Sequence, residues 1–525
     1  MSSNSWSVDA GVPLPAERDT LSSAVDRRIL LSMVGAAFLF YMVTLAPGVM
    51  YGDAAKFQTM PWRLELAFDE MGHPIWVLFM YPIAHLPGFS PAFACNMASA
   101  FFSALALWPA WRIARRLGAS RISSTLACLA LAVSHTFWFH AVITEVYAVN
   151  DLAAFWLLDV ATAVATGAGA RRSLVFWGAI GVFAGLAGAN HGLIMLWIPG
   201  LAWLLFEGVR RHHASWRGAV CAAAGFAAAV GTFSIFRILS TPGPGPLAVV
   251  AEILRSMLDL GGLVRDLAMA AGYLLYQFPL PVIIVAAWPG CRAIPSRLRW
   301  PLLLMLACSL GFAVRYPVKD RFAFFQPAWL LLALIAAPGL DAVRRWLERG
   351  FRIGRPVATA LMAVACIAMP PVIYAAAVPL AKAGYIPLPQ GLRDLPGRDE
   401  VAFFFFPGKR GETGHRRHAE ALMDAAPPRT MWLADHSLRA AMEYLQFVEG
   451  RRPDVDFTWA PASGQVDLVE RYLSQGRPVC LPATDEFYDM ASLSSHFTIV
   501  EQGLITCLSE RGATPQGPPV PSGSS

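Results

Sequence analysis

Charge is scarce in this chain. Only 15% of its 525 residues are Asp, Glu, Lys or Arg, while 56% are hydrophobic, a balance that an ordinary soluble domain does not carry. Also missing is any C-x-x-C spacing among the eight cysteines, which removes the common zinc and redox motifs. There is no phosphate-binding G-x-x-x-x-G-K-[ST] loop, no G-x-S-x-G nucleophile elbow and no internal repeat, so nucleotide-driven and serine-hydrolase chemistries find no support. The formal charge of +6 is modest, and its arginines sit in short clusters between apolar stretches, as topology signals do. Nucleic acid is therefore not an expected partner.

What is abundant is apolar sequence of membrane-spanning length. Candidate transmembrane helices fall at 29–49, 92–110, 123–139, 149–168, 173–188, 191–206, 218–238, 270–288, 300–314, 322–340 and 356–379. The first follows a polar tail ending in Arg27-Arg28 and has no small-residue cleavage site, so it reads as a retained span. With these eleven spans, every basic cluster lands on one side: Arg27-Arg28, Arg112 to Arg121, Arg171-Arg172, Arg210 to Arg217, Arg292 to Arg299 and Arg344 to Arg355. The positive-inside rule makes that side cytoplasmic. The N-terminus is then inside, the C-terminal part outside, and a bacterial inner membrane is the expected location. Residues 75–87 are apolar but too short to span, and read as re-entrant or interfacial. Residues 50–74 carry Phe57, Met60, Leu64 and Phe68 at near-helical spacing, which predicts a surface helix bent near Pro61.

From residue 380 the character changes. Strand-like pieces at 401–407, 430–435, 454–460 and 477–483 alternate with helix-like ones, the pattern of a small α/β domain. The expected organisation is a cytoplasmic tail (1–28), a transmembrane domain (29–379, with an outer loop at 50–91), an extracytoplasmic α/β domain (380–510) and a disordered tail (511–525). The fold class is thus mainly α and polytopic, with a small C-terminal α/β domain. Cys480 and Cys507 lie in the polar part, where an oxidising compartment would let them pair.

The unusual polar residues collect on the outer side. Asp53 follows the first span, His73 closes the first outer loop, and Glu145 lies in the turn after 123–139. Asn190-His191 forms an outer turn, and Arg315, Lys319, Asp320 and Arg321 flank the span at 322–340. Singly, each is what a solvated loop would carry. Together they suit group transfer from a lipid phosphate: a carboxylate can act as general base, and cations stabilise a phosphate leaving group. Arg315, Lys319 and Arg321 run against the positive-inside trend, which an anionic lipid ligand would explain. Asp159, inside an apolar span, is a functional candidate by default, or the partner of a polar neighbour. His135 and His140 read as packed. No set of His and Asp has dependable metal spacing, so no metal ligand is assigned, although Asp53 with Glu145 or His73 leaves a shared divalent cation open.

The segments TLAPGVMYGDAAKFQ, MGHPIWVLFMYPIAHLPG, SHTFWFHAVITEVYAVNDLAAFWLL, GLAGANHGLIMLWIPG and YPVKDRFAFFQPAWLLLALIAAPGL resemble, in that order, the protein O-mannosyltransferase-like family that includes the eukaryotic transmembrane protein 260. GRDEVAFFFFPGKRG and EYLQFVEGRRPDV extend the resemblance to about residue 460. It implies a GT-C glycosyltransferase that takes a sugar from a polyprenyl-phosphate donor to an acceptor hydroxyl, on protein or envelope glycan, at the extracytoplasmic face. By that resemblance Asp53 is the catalytic base, and His73, Glu145, His191 and Asp320 line the donor and acceptor cavity. The residues themselves suggest an inverting displacement in which Arg315, Lys319 and Arg321 hold the donor phosphate, with Asn190 beside His191 in the cavity. The chain departs from the pattern at Lys56, where a second acidic residue is expected, and at His73-Pro74-Ile75-Trp76, where a His-Pro-Pro-Gly run is usual. A lipid-linked-sugar flippase and a non-catalytic membrane scaffold are the competing readings.

Overall fold

The computed structural model describes residues 23–67, 72–168, 173–240, 251, 255, 258, 261–318, 320–389, 392 and 394–511. Eight helices among them are long and apolar enough to cross a membrane: Ala24–Thr44, Pro91–Arg116, Tyr147–Thr166, Gly192–Arg210, Trp216–Ser240, Ser296–Arg315, Arg321–Phe351 and Arg355–Lys382. Two bent pairs raise the count to ten, and Leu174–Asn190 is a shorter apolar helix. Eight to ten of the described helices are thus long and apolar enough to cross, against the eleven spans expected; the span expected at 173–188 falls on the shorter helix Leu174–Asn190. The chain is an integral membrane protein with a mainly α fold. Arg171-Arg172, the segment 68–71, Lys319 and the tail beyond Arg511 lie outside the described residues.

The chain forms two compact units, one of residues 1–40, 101–138 and 147–386, the other of residues 41–100, 139–146 and 387–525. The first unit is the helical bundle. Its close crossings use small residues: a Cβ on Gly339 would meet the Ala286 carbonyl oxygen at 1.8 Å, and one on Gly290 the Ile335 carbonyl oxygen at 2.1 Å. Helices Val282–Ala293 and Gln326–Phe351 can approach this closely only because both positions are glycine.

The expected span 270–288 is not continuous. Helices Leu263–Gln277 and Val282–Ala293 meet at 99°, because Pro279 and Pro281 supply no N–H and push their predecessors out of the helical region. Arg121–Ala132 and His135–Ala141 likewise meet at 66°. Backbone freed at a break inside a membrane must be satisfied locally, and Gln277 ties the two breaks together. Its Oε1 accepts from Thr136 N at 2.9 Å, its Nε2 donates to Ser134 Oγ at 2.7 Å, and its own carbonyl accepts from the Tyr374 hydroxyl at 3.0 Å.

The second unit contains a five-stranded sheet of β1 (Met431–Leu433), β2 (Asp456–Thr458), β3 (Val479–Leu481), β4 (Phe497–Gln502) and β5 (Ile505–Glu510), in the order β2-β1-β3-β5-β4. Strands β1, β2 and β3 run parallel, while β5 is antiparallel to β3 and to β4. Alternation along β1 sends Trp432 and Ala434 to one face, beneath helices Gly414–Ala425 and His436–Phe447, and Met431 and Leu433 to the other, above Gln465–Ser474. Cys480 and Cys507 face each other across β3 and β5 and form a disulfide. The sequence did not suggest the β4–β5 hairpin.

One expected strand is a helix. Residues Glu400–Phe405 coil because Asp399 caps the first turn, accepting from Ala402 N at 3.1 Å. The buried Lys409 ammonium then closes the other end by donating to the carbonyls of Phe403 at 2.7 Å and Phe406 at 2.6 Å. The helix after the first span also differs from expectation: Asp53–Arg63 carries Pro61 inside it and ends at Leu64 in a left-handed conformation, rather than bending and continuing. Pro74–Ala84 is a separate helix of 11 residues, as its length required.

Candidate active site around Asp53

A buried polar network fixes the approach to Asp53. Asn96 donates to the carbonyls of Ala46 at 3.0 Å and Gly48 at 3.1 Å, and its Oδ1 accepts from Gln58 Nε2 at 3.0 Å and Thr144 Oγ1 at 2.6 Å. Gln58 also donates to Thr144 at 3.1 Å. Three segments distant in sequence are thereby tied to the loop that ends the first span. Gly52 follows with φ 67°, a left-handed value that favours glycine, and its N–H donates to the Ser437 carbonyl at 3.0 Å. Asp53 then opens helix Asp53–Arg63 from its first turn, where the exposed N–H groups favour a negative charge.

The carboxylate has a partner that sequence reasoning missed. His436 Nε2 lies 2.8 Å from Asp53 Oδ1, with the Asp53 side chain 37% exposed and the imidazole 49% exposed. His436 is the first residue of helix His436–Phe447, capped by Asp435 through a 2.7 Å bond from Ser437 N, just past the carboxyl end of β1. Burial pushes the Asp53 carboxyl up. The hydrogen bond and charge of His436, with the charges of Lys56 and His73, outweigh that and hold it below its ordinary value. Asp53 is thus an ionised, correctly charged proton acceptor near neutrality.

Beside this pair lies a cavity of about 840 Å³, within the range of small-ligand sites. Lys56, Arg63 and Glu65 line it from the segment after the first span, His436, Arg439 and Glu443 from helix His436–Phe447, and Phe457 and Trp459 from the end of β2. Its charges are largely matched: Arg63 meets Glu65 at 3.4 Å and Arg439 meets Glu443 at 2.7 Å. Trp459 is 53% exposed. Charge-paired polar groups and an open aromatic face suit a polar organic ligand.

The other expected site residues divide between the units. His73 sits with Asp53 in the second unit, its backbone left-handed (φ 44°) ahead of Pro74 and its ring 5.4 Å from Phe57. Glu145 belongs to the same unit, its N–H 3.4 Å from Ser99 Oγ. Asn190, His191, Arg315, Asp320 and Arg321 belong to the helical bundle. There His191 Nδ1 caps the turn, accepting from Leu193 N at 3.3 Å, and its ring is 5.2 Å from Tyr147. Asn190 is buried at the end of helix Leu174–Asn190. Asp320 is exposed and precedes the turn Arg321–Phe325. Arg315 and Arg321 converge on Asp266, the latter at 3.1 Å, so an intramolecular counter-ion already accounts for part of this basic pair. Asp266 lies in the first turn of helix Leu263–Gln277, beside Arg265 at 3.8 Å, and is buried although its helix is mostly apolar beyond that turn. Asp159 pairs with Arg112 at 3.3 Å and with Arg116, the structural alternative left open for it. His135 and His140 are buried, as expected. Among the described residues no group of three or more His, Cys, Asp or Glu side chains is placed to hold a metal ion.

Comparison with known proteins gives the class. The fold is similar to the crystal structure of ArnT from Cupriavidus metallidurans bound to undecaprenyl phosphate, with TM-score 0.54, 15% identity, and 94% of this chain and 100% of that chain covered. The apo form of the same protein gives TM-score 0.50 and 15% identity, covering 93% of this chain and 98% of that one. The chain is thus an integral membrane protein with the GT-C glycosyltransferase fold. Residues 53–215 match the family model described as the protein O-mannosyl-transferase TMEM260 N-terminal domain, the recognition that the ordered motifs had suggested. That match begins at Asp53. No curated protein matches the sequence.

Proposed function

We propose that the protein is a membrane glycosyltransferase that moves a sugar from a polyprenyl-phosphate donor to an acceptor hydroxyl at the extracytoplasmic face, with inversion and with Asp53 as general base. The observation that carries the proposal is a partly exposed carboxylate at the first position of the O-mannosyl-transferase match, hydrogen-bonded to His436, which lines a large cavity of mixed polar and apolar surface. In one displacement the acceptor O–H loses its proton to Asp53, its oxygen bonds the anomeric carbon, and the bond from that carbon to the phosphate oxygen breaks. The electron pair departs with the lipid phosphate, whose growing charge cations stabilise. Arg315 and Arg321 are assigned to that phosphate, along with Lys319, which lies outside the described residues. Arg315, Arg321 and Arg265 all meet the single carboxylate of Asp266, so the group keeps a net positive charge that would attract an anion. His73, Glu145, Asn190, His191 and Asp320 are assigned to the donor and acceptor cavity.

The C-terminal α/β part, proposed as the domain 380–510, would hold the acceptor, a protein or an envelope glycan, through the cavity that ends at Trp459. The Cys480–Cys507 disulfide supports an extracytoplasmic position for it, and the arginine clusters support a cytoplasmic N-terminus in a bacterial inner membrane. Asp53→Asn is the direct test. In membranes supplied with labelled polyprenyl-phosphate mannose, glucose or arabinose and an envelope acceptor fraction, transfer should fall by about 100-fold or more. Transfer at the wild-type rate would remove Asp53 from the role of base. Labelled lipid that becomes protected without labelled acceptor would indicate a flippase.

A further inference from the structure

The reading of Asp53 as base leaves unexplained why a residue from the far end of the chain is hydrogen-bonded to it. His436 is separated from Asp53 by 383 positions, yet its placement is over-determined. The Asp435 cap fixes the first turn of its helix, and the Ser437 carbonyl accepts the N–H of Gly52, the residue preceding Asp53. Tyr444, on the same helix, accepts from Ala92 N at 3.2 Å, and the Tyr51 hydroxyl donates to the Pro396 carbonyl at 2.9 Å. Farther along, the Arg63 guanidinium lies 4.0 Å from the centre of the Phe447 ring. Helices Asp53–Arg63 and His436–Phe447 are therefore pinned at both ends, and the imidazole is held where it meets the carboxylate.

We propose that His436 is the positioning residue of the catalytic base: its Nε2–H donates to Asp53 Oδ1, fixes the carboxylate rotamer and leaves Oδ2 as the oxygen that takes the acceptor proton. This rests on the proposed glycosyltransferase reading and gives the C-terminal α/β segment a part in the chemistry itself, beyond holding the acceptor. The proton balance is unchanged. The acceptor O–H breaks to Oδ2, the new C–O bond forms, and the phosphate leaves with the electron pair, while the His436 proton stays on nitrogen. A neutral or cationic imidazole can serve, since Nε2–H is present in the cation and in one neutral tautomer. The charged groups around the pair are Lys56 on the helix of Asp53, His73 ahead of Pro74, and Arg439 and Glu443 on the helix of His436, with Arg63 and Glu65 across the cavity. Of these, Lys56 and His73 act on Asp53 in the same direction as His436.

Full-length His436→Ala, His436→Gln and Asp53→Asn proteins are compared in membranes for transfer from the labelled polyprenyl-phosphate sugar that the wild type uses. His436→Ala should lower kcat about 100-fold, the scale of a misplaced catalytic group, with KM for the donor within about 3-fold. Removing the imidazole lets the Asp53 carboxyl pKa rise. Because the rate falls as pH drops through that value, the acid limb of kcat/KM should move to higher pH. His436→Gln, which keeps a neutral N–H donor, should recover at least about tenfold of the loss, as a hydrogen bond to a charged group would. A misfolded fraction lowers the amplitude but leaves the limb in place, so loss without a limb shift overturns the proposal. Glutamine as inactive as alanine overturns it too, because an N–H donor at this position would then not be what the base requires. Wild-type behaviour of both His436 variants beside an inactive Asp53→Asn refutes the role of His436 and leaves the glycosyltransferase reading intact. An active Asp53→Asn, or a wild type that transfers none of the sugars, brings down the reading and this inference with it.

Discussion

Replacing Asn96 with alanine tests whether the buried network is what holds Asp53. The asparagine makes four hydrogen bonds: two donated to the Ala46 and Gly48 carbonyls and two accepted from Gln58 and Thr144. A neutral bond contributes about 1 kcal/mol net, so the variant loses roughly 4 kcal/mol. The surviving Gln58–Thr144 bond offsets a little of this, and the orphaned carbonyls add to it. A loss of about 3 to 5 kcal/mol in a unit of this size lowers Tm by roughly 6 to 20 °C. Detergent-solubilised protein followed by thermal unfolding gives the shift, and membranes assayed well below the new Tm show whether transfer falls as the Asp53 loop loosens. Thr144→Val alone should cost less. The double variant should fall short of the sum of the two, because the bonded partners share one loss. A Tm within about 2 °C of wild type, or strict additivity, would show that the loop is held by something other than this network.

Lys409 makes the stability pH-dependent. Its ammonium is fully buried between the Phe139 and Phe403 rings, and burial pushes its pKa down to about 7 against the pull of Glu412 and Glu400. The unfolded chain keeps that proton up to about pH 10. Between these values the unfolded state binds more protons, so stability rises with pH above 7. Tm should climb from pH 7 to 9.5 in the wild type and stay nearly flat over that window in Lys409→Met; parallel profiles would mean that Lys409 is not the group titrating. The Cys480–Cys507 bridge closes a separation of 27 residues, for which chain entropy suggests about 3 to 4 kcal/mol. Cys480→Ser should lower Tm and abolish its sensitivity to dithiothreitol. Thiol labelling of denatured, unreduced wild type should find the six free cysteines only, and eight labelled thiols would contradict the pairing.

The membrane half was legible because its signal is local and additive. Twenty apolar residues announce a span whatever they pack against, and each expected span from 29–49 to 356–379 falls mainly on helix, continuous or bent. Error entered where a neighbour outside the window decides the outcome. VAFFFFP reads as a strand from its own residues, yet Asp399 and Lys409 supply both caps and make it a helix. The run 270–288 scores as one span although two prolines divide it. The site follows the same rule. Asp53 and His73 were readable because one stands at the end of a span and the other before a proline, positions where a polar group is conspicuous. His436 was not, since a histidine at the start of an amphipathic helix looks like solvated surface, and only tertiary structure reveals its partner 383 residues away. Arg315 and Arg321 show the opposite failure: their position against the charge rule drew attention to a ligand, while Asp266, the counter-ion they already have, sat unnoticed about 50 residues upstream. A charge that is conspicuous in the sequence marks a position but not its partner, so a candidate site read from such charges omits residues like Asp266 and His436 that folding brings to them.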